Sequence, residues 1–191
     1  MTRKTKPFWQ IEMTAENYLK VHQCYDAPYS GIDVIFDCCK IDIIPLYNLS
    51  DKNFLGRFGD NGKEKFIAYN ADLSPERILF TKAHELGHFS LHHNLKSDII
   101  TEEVHTKSEQ KDPQETEANV FAAAFLMPKK LVIETVNACL PAARSLFYKD
   151  NTITYDDLFK AEKECVIQAI KQKCHTSKES IEWRVKNIFK S

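Results

Sequence analysis

The stretch that most constrains this chain is His84-Glu85-Leu86-Gly87-His88, a His-Glu-x-x-His string near the middle of the sequence. On an α-helix, residues four apart share one face, so the two imidazoles would lie one turn apart with the glutamate beside them. Two imidazoles so placed can bind one zinc ion, and the carboxylate can reach a water at the metal. The string therefore predicts a metal-binding helix and a metal-dependent hydrolase.

The residues before this string favour the helix. Ser74 and Pro75 are residue types of a helix N-cap and of the first helical position. Apolar residues then recur at intervals of three and four, at Ile78, Leu79 and Ala83, as on a helix that packs one face on a core. A chance match to the string would need neither signal, so the local sequence supports the metal helix.

Two histidines do not complete a catalytic zinc site, which typically has three protein ligands and one open position. A second helix is predicted over residues 112–127, and it carries Glu115 and Glu117 near its start. Glu115 shares a face with Ala118, whose small side chain allows close packing on another helix, and Asn119 lies one turn along. Glu117 points elsewhere. We therefore predict Glu115 as the third ligand and Asn119 as the partner of a ligand histidine's outer nitrogen.

Both motifs, in this order and at this spacing, resemble those of the ImmA/IrrE family of zinc metallopeptidases. The matching segments are residues 77–92, which read RILFTKAHELGHFSLH, and residues 115–128, which read ETEANVFAAAFLMP. The resemblance covers about residues 10–135. It implies a gluzincin-like peptidase.

The resemblance also implies roles and a substrate. His84, His88 and the acid four residues before Asn119, which is Glu115, would bind zinc. Glu85 would take a proton from the attacking water and pass it to the leaving amine. Family members look like regulatory proteases that cut a helix-turn-helix repressor at one site and so relieve repression of mobile-element, phage or stress genes. Such a repressor is the expected partner.

A second donor to the oxyanion is usually needed in peptide hydrolysis. The sequence leaves four candidates open: Tyr69, His92, His93 and His105. His92 continues the row of the two ligand histidines at the same spacing, so it is predicted near the metal face, packed or hydrogen-bonded there rather than acting as a fourth ligand. The polar residues 96–111 are a candidate lid over the cleft.

The predicted fold class is α+β: a mostly helical, zincin-like metallopeptidase with a small antiparallel or mixed β-sheet and a helical C-terminal region. Residues 1–135 are expected to form the peptidase core, and residues 136–191 a helical, helix-turn-helix-like extension packed on it. Strands are predicted over Ile41–Leu46 and residues 64–70. The second of these is a candidate sheet edge that holds extended substrate by strand addition, the alternative being half-buried sheet without that role.

The composition gives no overall attraction to nucleic acid or membranes. The 26 basic and 27 acidic residues leave a net charge of −1, and no apolar run approaches the length of a membrane helix. We therefore expect a cytoplasmic protein without a membrane partner. Residues 170–189 are similar to the helix-turn-helix-like end of family members, but Glu179 and Glu182 interrupt their basic face. We predict partner docking or core packing there rather than direct DNA contact.

Two other functions stay open beside the peptidase. A non-catalytic, metal-stabilised antirepressor would bind its repressor without cutting it, so the substitution Glu85→Gln would leave its activity intact. A DNA-binding module would instead show salt-dependent affinity for duplex DNA.

Overall fold

The computed structural model describes residues 5–51, 53–60, 62–93, 112–140 and 155–189. In chain order, the helices and strands of these ranges are α1 (Phe8–Val21), α2 (Pro28–Cys39), β1 (Ile41–Leu46), β2 (Gly56–Asp60), β3 (Lys65–Asn70), α3 (Pro75–Ser90), α4 (Pro113–Leu126), α5 (Lys129–Cys139), a 3₁₀ turn (Tyr155–Asp157), α6 (Lys160–Cys174) and α7 (Lys178–Ile188). None of these helices combines the length and the apolar character that a membrane span requires. The fold is α+β and mostly helical, as predicted.

The sheet has three strands in the order β1-β3-β2. Strand β1 runs parallel to β3, whereas β2 runs antiparallel to it and forms a hairpin with it. The sheet is therefore mixed, which agrees with the prediction. The prediction that residues 64–70 form a free substrate-binding edge is wrong, because β3 is the central strand and both of its edges are paired. Strand β2 forms the edge that packs on α3.

Helices α3 and α4 form the centre of the molecule, and both begin where the sequence predicts. The Ser74 hydroxyl accepts the backbone N–H of Arg77, and the Asp112 carboxylate accepts that of Gln114, so both N-caps are formed by side chains. Proline follows each cap at the first helical position. A backbone N–H there would have no partner within the helix, so proline costs no hydrogen bond. Local signals therefore fix the starting points of the two helices that carry the motifs.

Two apolar clusters build the core, and α4 belongs to both. The first cluster joins α1, α2, the sheet, α3 and most of α4. The second joins Ala123 of α4, and Met127 just after its end, to α5, α6 and α7. The predicted division at residue 135 falls within α5 and stays a prediction. The C-terminal helices pack on the same helix that supplies Glu115.

Candidate metal centre

Gly87 allows α3 and α4 to approach closely. A Cβ atom at this position would lie 3.2 Å from the Ala118 Cα and 3.2 Å from the Phe121 Cβ. These distances are shorter than an ordinary van der Waals contact, so any side chain larger than hydrogen would push the helices apart. Glycine within the motif thus brings the first turns of α4 against the two histidines of α3.

The close packing gathers three potential metal ligands. The Nε2 atoms of His84 and His88 lie 2.9 Å apart. Glu115 places one carboxylate oxygen 3.2 Å from the Nε2 of His84 and the other 3.2 Å from the Nε2 of His88. Bonds of about 2.0–2.1 Å in a tetrahedral zinc site put two ligand atoms about 3.4 Å apart. The two imidazoles and the carboxylate therefore fit a single metal ion, and the structure brings together the three residues predicted as ligands.

The outer nitrogens of both histidines are engaged by other side chains. The Nδ1 of His84 lies 3.0 Å from the side-chain oxygen of Asn119 and donates to it, because an amide oxygen can only accept. The Nδ1 of His88 lies 2.9 Å from the Nδ1 of His93, whose Nε2 lies 2.9 Å from Glu117. The predicted contact of Asn119 with a histidine of the motif is present. Glu117 lies behind the site and is fully buried.

Charge is concentrated in this cluster. Burial alone would lower the pKa of His84, but its hydrogen bond with Glu115 and the charges of Glu85 and Glu115 outweigh burial, so the pKa is raised above its ordinary value. Burial opposes ionisation of Glu115, but the hydrogen bonds with His84 and His88 hold its pKa well below the usual range. Without a cation at the centre, the cluster therefore favours an ionised carboxylate next to a protonated imidazole.

Glu85 faces the sheet. Its side chain is nearly buried, and its Oε2 accepts the backbone N–H of Phe58 on β2 at 2.7 Å. A hydrogen bond from a strand fixes the carboxylate beside His84, whose pKa its charge raises. Glu85 is thus held next to the candidate metal position by the edge of the sheet.

The structure distinguishes between the residues predicted as candidates for the second oxyanion donor. His93 is buried behind His88, so it cannot reach a substrate. The prediction that His92 continues the row is wrong: α3 ends at Ser90, and His92 is exposed with a φ of 54°. The Tyr69 ring is half-buried, with the Lys82 ammonium 5.1 Å from its centre. His105 and residues 96–111 lie outside the described residues, so the second donor stays open.

Comparison with known proteins gives one family and several relatives. The family model described as the IrrE N-terminal-like domain, a peptidase family, matches residues 37–140, more than half of the chain. A relative from Bacillus phage phi105, named uncharacterized immunity region protein 2, is 27% identical over 159 residues, which are 83% of this chain and 86% of that protein.

Two further relatives are radiation response metalloproteases named IrrE. The protein from Deinococcus radiodurans is 37% identical over 83 residues, and that from Deinococcus deserti is 39% identical over 83 residues. These matches cover 42% of this chain but only 24% and 28% of the Deinococcus proteins. The matched part is thus a quarter or so of each Deinococcus protein.

Among solved structures, a transcriptional regulator of Mycobacterium tuberculosis has a similar fold. The TM-score is 0.58 at 16% sequence identity, and the match covers 91% of this chain and 45% of that one. At this identity the likeness concerns the fold.

Proposed function

The chain belongs to the ImmA/IrrE family of metallopeptidases, which carries the IrrE N-terminal-like domain, and from this premise we propose that it is a zinc-dependent metalloendopeptidase that cuts a helix-turn-helix repressor at one site. The observation that carries the proposal is the meeting of His84, His88 and Glu115 at distances of 2.9 to 3.2 Å, with Glu85 beside them.

The donor set favours zinc over magnesium and calcium. Magnesium and calcium prefer sites made of oxygen atoms, whereas two imidazole nitrogens and one carboxylate suit zinc. Three protein ligands also leave a fourth tetrahedral position for water or substrate, which is the pattern of catalytic rather than structural zinc sites. The chemistry of the three side chains therefore supports a hydrolytic zinc centre.

The residues of the site have distinct tasks in peptide hydrolysis. Bound zinc supplies Lewis acidity, which makes water a nucleophile near neutral pH and polarises the scissile carbonyl. Glu85 accepts the proton of the attacking water and later delivers it to the leaving amine. The Phe58 N–H holds one oxygen of that carboxylate, so the other oxygen would be the one that takes the proton. Asn119 keeps His84 in the tautomer whose Nε2 can bind metal.

Support for a regulatory substrate comes from the family and from the relatives' names. ImmA/IrrE proteins look like proteases that act on one repressor, and the phage relative, which aligns over most of both chains, is named an immunity region protein. The Deinococcus relatives are named radiation response metalloproteases. A repressor acts on DNA inside the cell, so the proposed place of action is the cytoplasm.

Zinc analysis and cleavage of a candidate repressor test the proposal. The wild-type protein should bind one zinc ion per chain and convert a helix-turn-helix repressor, sought first in the neighbouring reading frame, into two fragments, with the cut located by mass spectrometry. Glu85→Gln should bind zinc equally well and leave the repressor whole. If Glu85→Gln still relieves repression in cells, the protein sequesters its partner without cutting it, and the peptidase proposal fails.

A further inference from the structure

Behind His88, on the side away from Glu115, a chain of buried polar groups leads to the N-terminal segment. The Nδ1 of His88 meets the Nδ1 of His93 at 2.9 Å, and the Nε2 of His93 meets a Glu117 oxygen at 2.9 Å. The other Glu117 oxygen accepts the backbone N–H of Lys6 at 2.7 Å. The Lys6 ammonium also donates to the carbonyl of Leu91 at 2.7 Å, just beyond the end of α3.

The donor and acceptor roles in this chain follow from its two ends. An ionised carboxylate only accepts, so the Nε2 of His93 must donate to Glu117. A His88 that binds a metal through Nε2 keeps its proton on Nδ1, so the facing Nδ1 of His93 must be the acceptor nitrogen of a neutral ring. The Nδ1 of His88 therefore donates, and its Nε2 is the nitrogen that would give a lone pair to a metal. That Nε2 is the atom 3.2 Å from Glu115 in the candidate metal centre.

The two groups that support this assignment are buried. The side chains of His93 and Glu117 are both fully buried. A buried carboxylate is costly unless it is paired and hydrogen-bonded. Glu117 receives the His93 N–H and the Lys6 N–H, and the Lys6 ammonium lies 3.8 Å away. These partners hold Glu117 as an acceptor, which in turn fixes the ring of His93.

We propose that His93 is a positioning residue that sets the tautomer and ring orientation of His88 for metal binding, with Glu117 and the N-terminal Lys6 as its supports. The inference rests on the metal site of the proposed function. Its counterpart on the other ligand is Asn119, which accepts from the Nδ1 of His84. Each histidine of the site is thus oriented by a different acceptor, and the acceptor behind His88 is tied to the segment before α1.

Zinc affinity of matched variants tests the role of His93. His93→Leu removes the acceptor behind His88, whereas His93→Asn places an amide oxygen near the position of the imidazole Nδ1 and can still accept. We expect a loss of zinc affinity of about 10–100-fold for His93→Leu, the usual effect of losing an outer hydrogen bond to a ligand, and an affinity close to wild type for His93→Asn. His92→Asn is the control, because that exposed neighbour has a φ of 54°, which asparagine tolerates.

Imidazole ¹⁵N spectra of the zinc-free protein, recorded at alkaline pH where the imidazoles are neutral, give a second readout. His88 should be protonated on Nδ1 in the wild type and in His93→Asn, and should become a mixture of tautomers in His93→Leu. A purely structural role would lower the stability of both variants without separating their zinc affinities, and that result would overturn the inference. If His93→Leu does not fold, His93→Leu/Glu117→Leu takes its place, since it also removes the buried carboxylate, and it carries the same expectation.

The two proposals fail in different ways. A wild-type protein that binds no stoichiometric zinc contradicts the proposed function, and with it this inference. A wild type that binds zinc tightly, together with an unchanged affinity in His93→Leu, contradicts only the positioning role.

Discussion

The carboxylate of Glu85 and the backbone N–H of Phe58 form a 2.7 Å hydrogen bond that joins the metal helix to the edge of the sheet. Phe58 pairs with Ile67 in the antiparallel ladder of β2 and β3, and its N–H points away from that ladder towards α3. An edge strand presents unpaired backbone groups of this kind. The same contact therefore satisfies a donor of the edge strand and fixes the proposed general base.

The two roles of Glu85 can be separated by two substitutions. Glu85→Gln keeps a side-chain oxygen that accepts the Phe58 N–H, whereas Glu85→Leu leaves this buried donor without that acceptor, at a cost of about 1–3 kcal/mol. We expect Glu85→Leu to be less stable than Glu85→Gln by about that amount in urea unfolding of the zinc-free protein. Both variants should lack peptidase activity. Equal stability of the two would show that the hydrogen bond contributes nothing to the fold.

Gly87 offers a second test, because it sets the distance between α3 and α4. In Gly87→Ala, the new methyl group would lie 3.2 Å from the Ala118 Cα, so α4 must shift by a few tenths of an ångström. Overpacking of this kind costs about 1–3 kcal/mol. Because α4 also carries Glu115, we expect zinc affinity to fall as well, measured by chelator competition. Arg77→Ala, an exposed change on the same helix, should alter neither quantity.

Helix periodicity and caps predicted the parts of the site that depend on local spacing. His84 and His88 are one turn apart on any helix, and the caps at Ser74 and Asp112 are local signals, so both helices were predictable. The choice of Glu115 over Glu117 also follows from the angular position of each residue around α4. Of these two glutamates, the structure places Glu115 within reach of both histidines.

Other features depend on tertiary contacts that spacing does not encode. Thr14 is of a residue type that often caps a helix, but α1 begins at Phe8, and the Thr14 hydroxyl donates to the Gln10 carbonyl within the helix. His92 was placed on the metal face by helical spacing, but α3 ends at Ser90, before either histidine, and His93 is the one that turns inward. The sequence shows two adjacent histidines after the motif, so a contact of one of them with the site could be suspected. Which of the two turns inward depends on the point at which α3 ends.

Arg184 joins α7 to α1 and to the residue that follows α4, so we expect its substitution to destabilise the fold. Its side chain is 1% exposed, its Nε donates to the Met127 carbonyl at 3.0 Å, and its Nη1 donates to Glu12 on α1. Arg184→Met keeps the length of the side chain but leaves the buried Met127 carbonyl unpaired, so we expect a loss of about 1–3 kcal/mol of unfolding free energy.

Lysine should not rescue position 184, because one ammonium cannot reproduce the planar fork that contacts two acceptors. Lys178→Met is the control, since Lys178 makes only an exposed 4.0 Å ion pair with Glu182. It should change stability little. A native-like stability of Arg184→Met would show that the hydrogen bonds of Arg184 contribute nothing to the fold.

The pH dependence of stability should invert when zinc binds. The pKa of His84 is raised by Glu115 and Glu85, so its contribution is full below its unfolded value of about 6.5 and is lost as pH rises through the folded pKa. The pKa of Glu115 is lowered, so its contribution is present above about pH 4.3 and is lost as pH falls through the folded pKa. Zinc-free protein should therefore become less stable as pH rises above about 6.5, measured by thermal unfolding. Zinc should instead stabilise it increasingly over that range, because only deprotonated imidazoles bind metal. Glu115→Gln, which removes one of the two charges that raise the pKa of His84, should make the zinc-free decline shallower. A zinc-free protein that gains stability over this range would contradict the charge pairing.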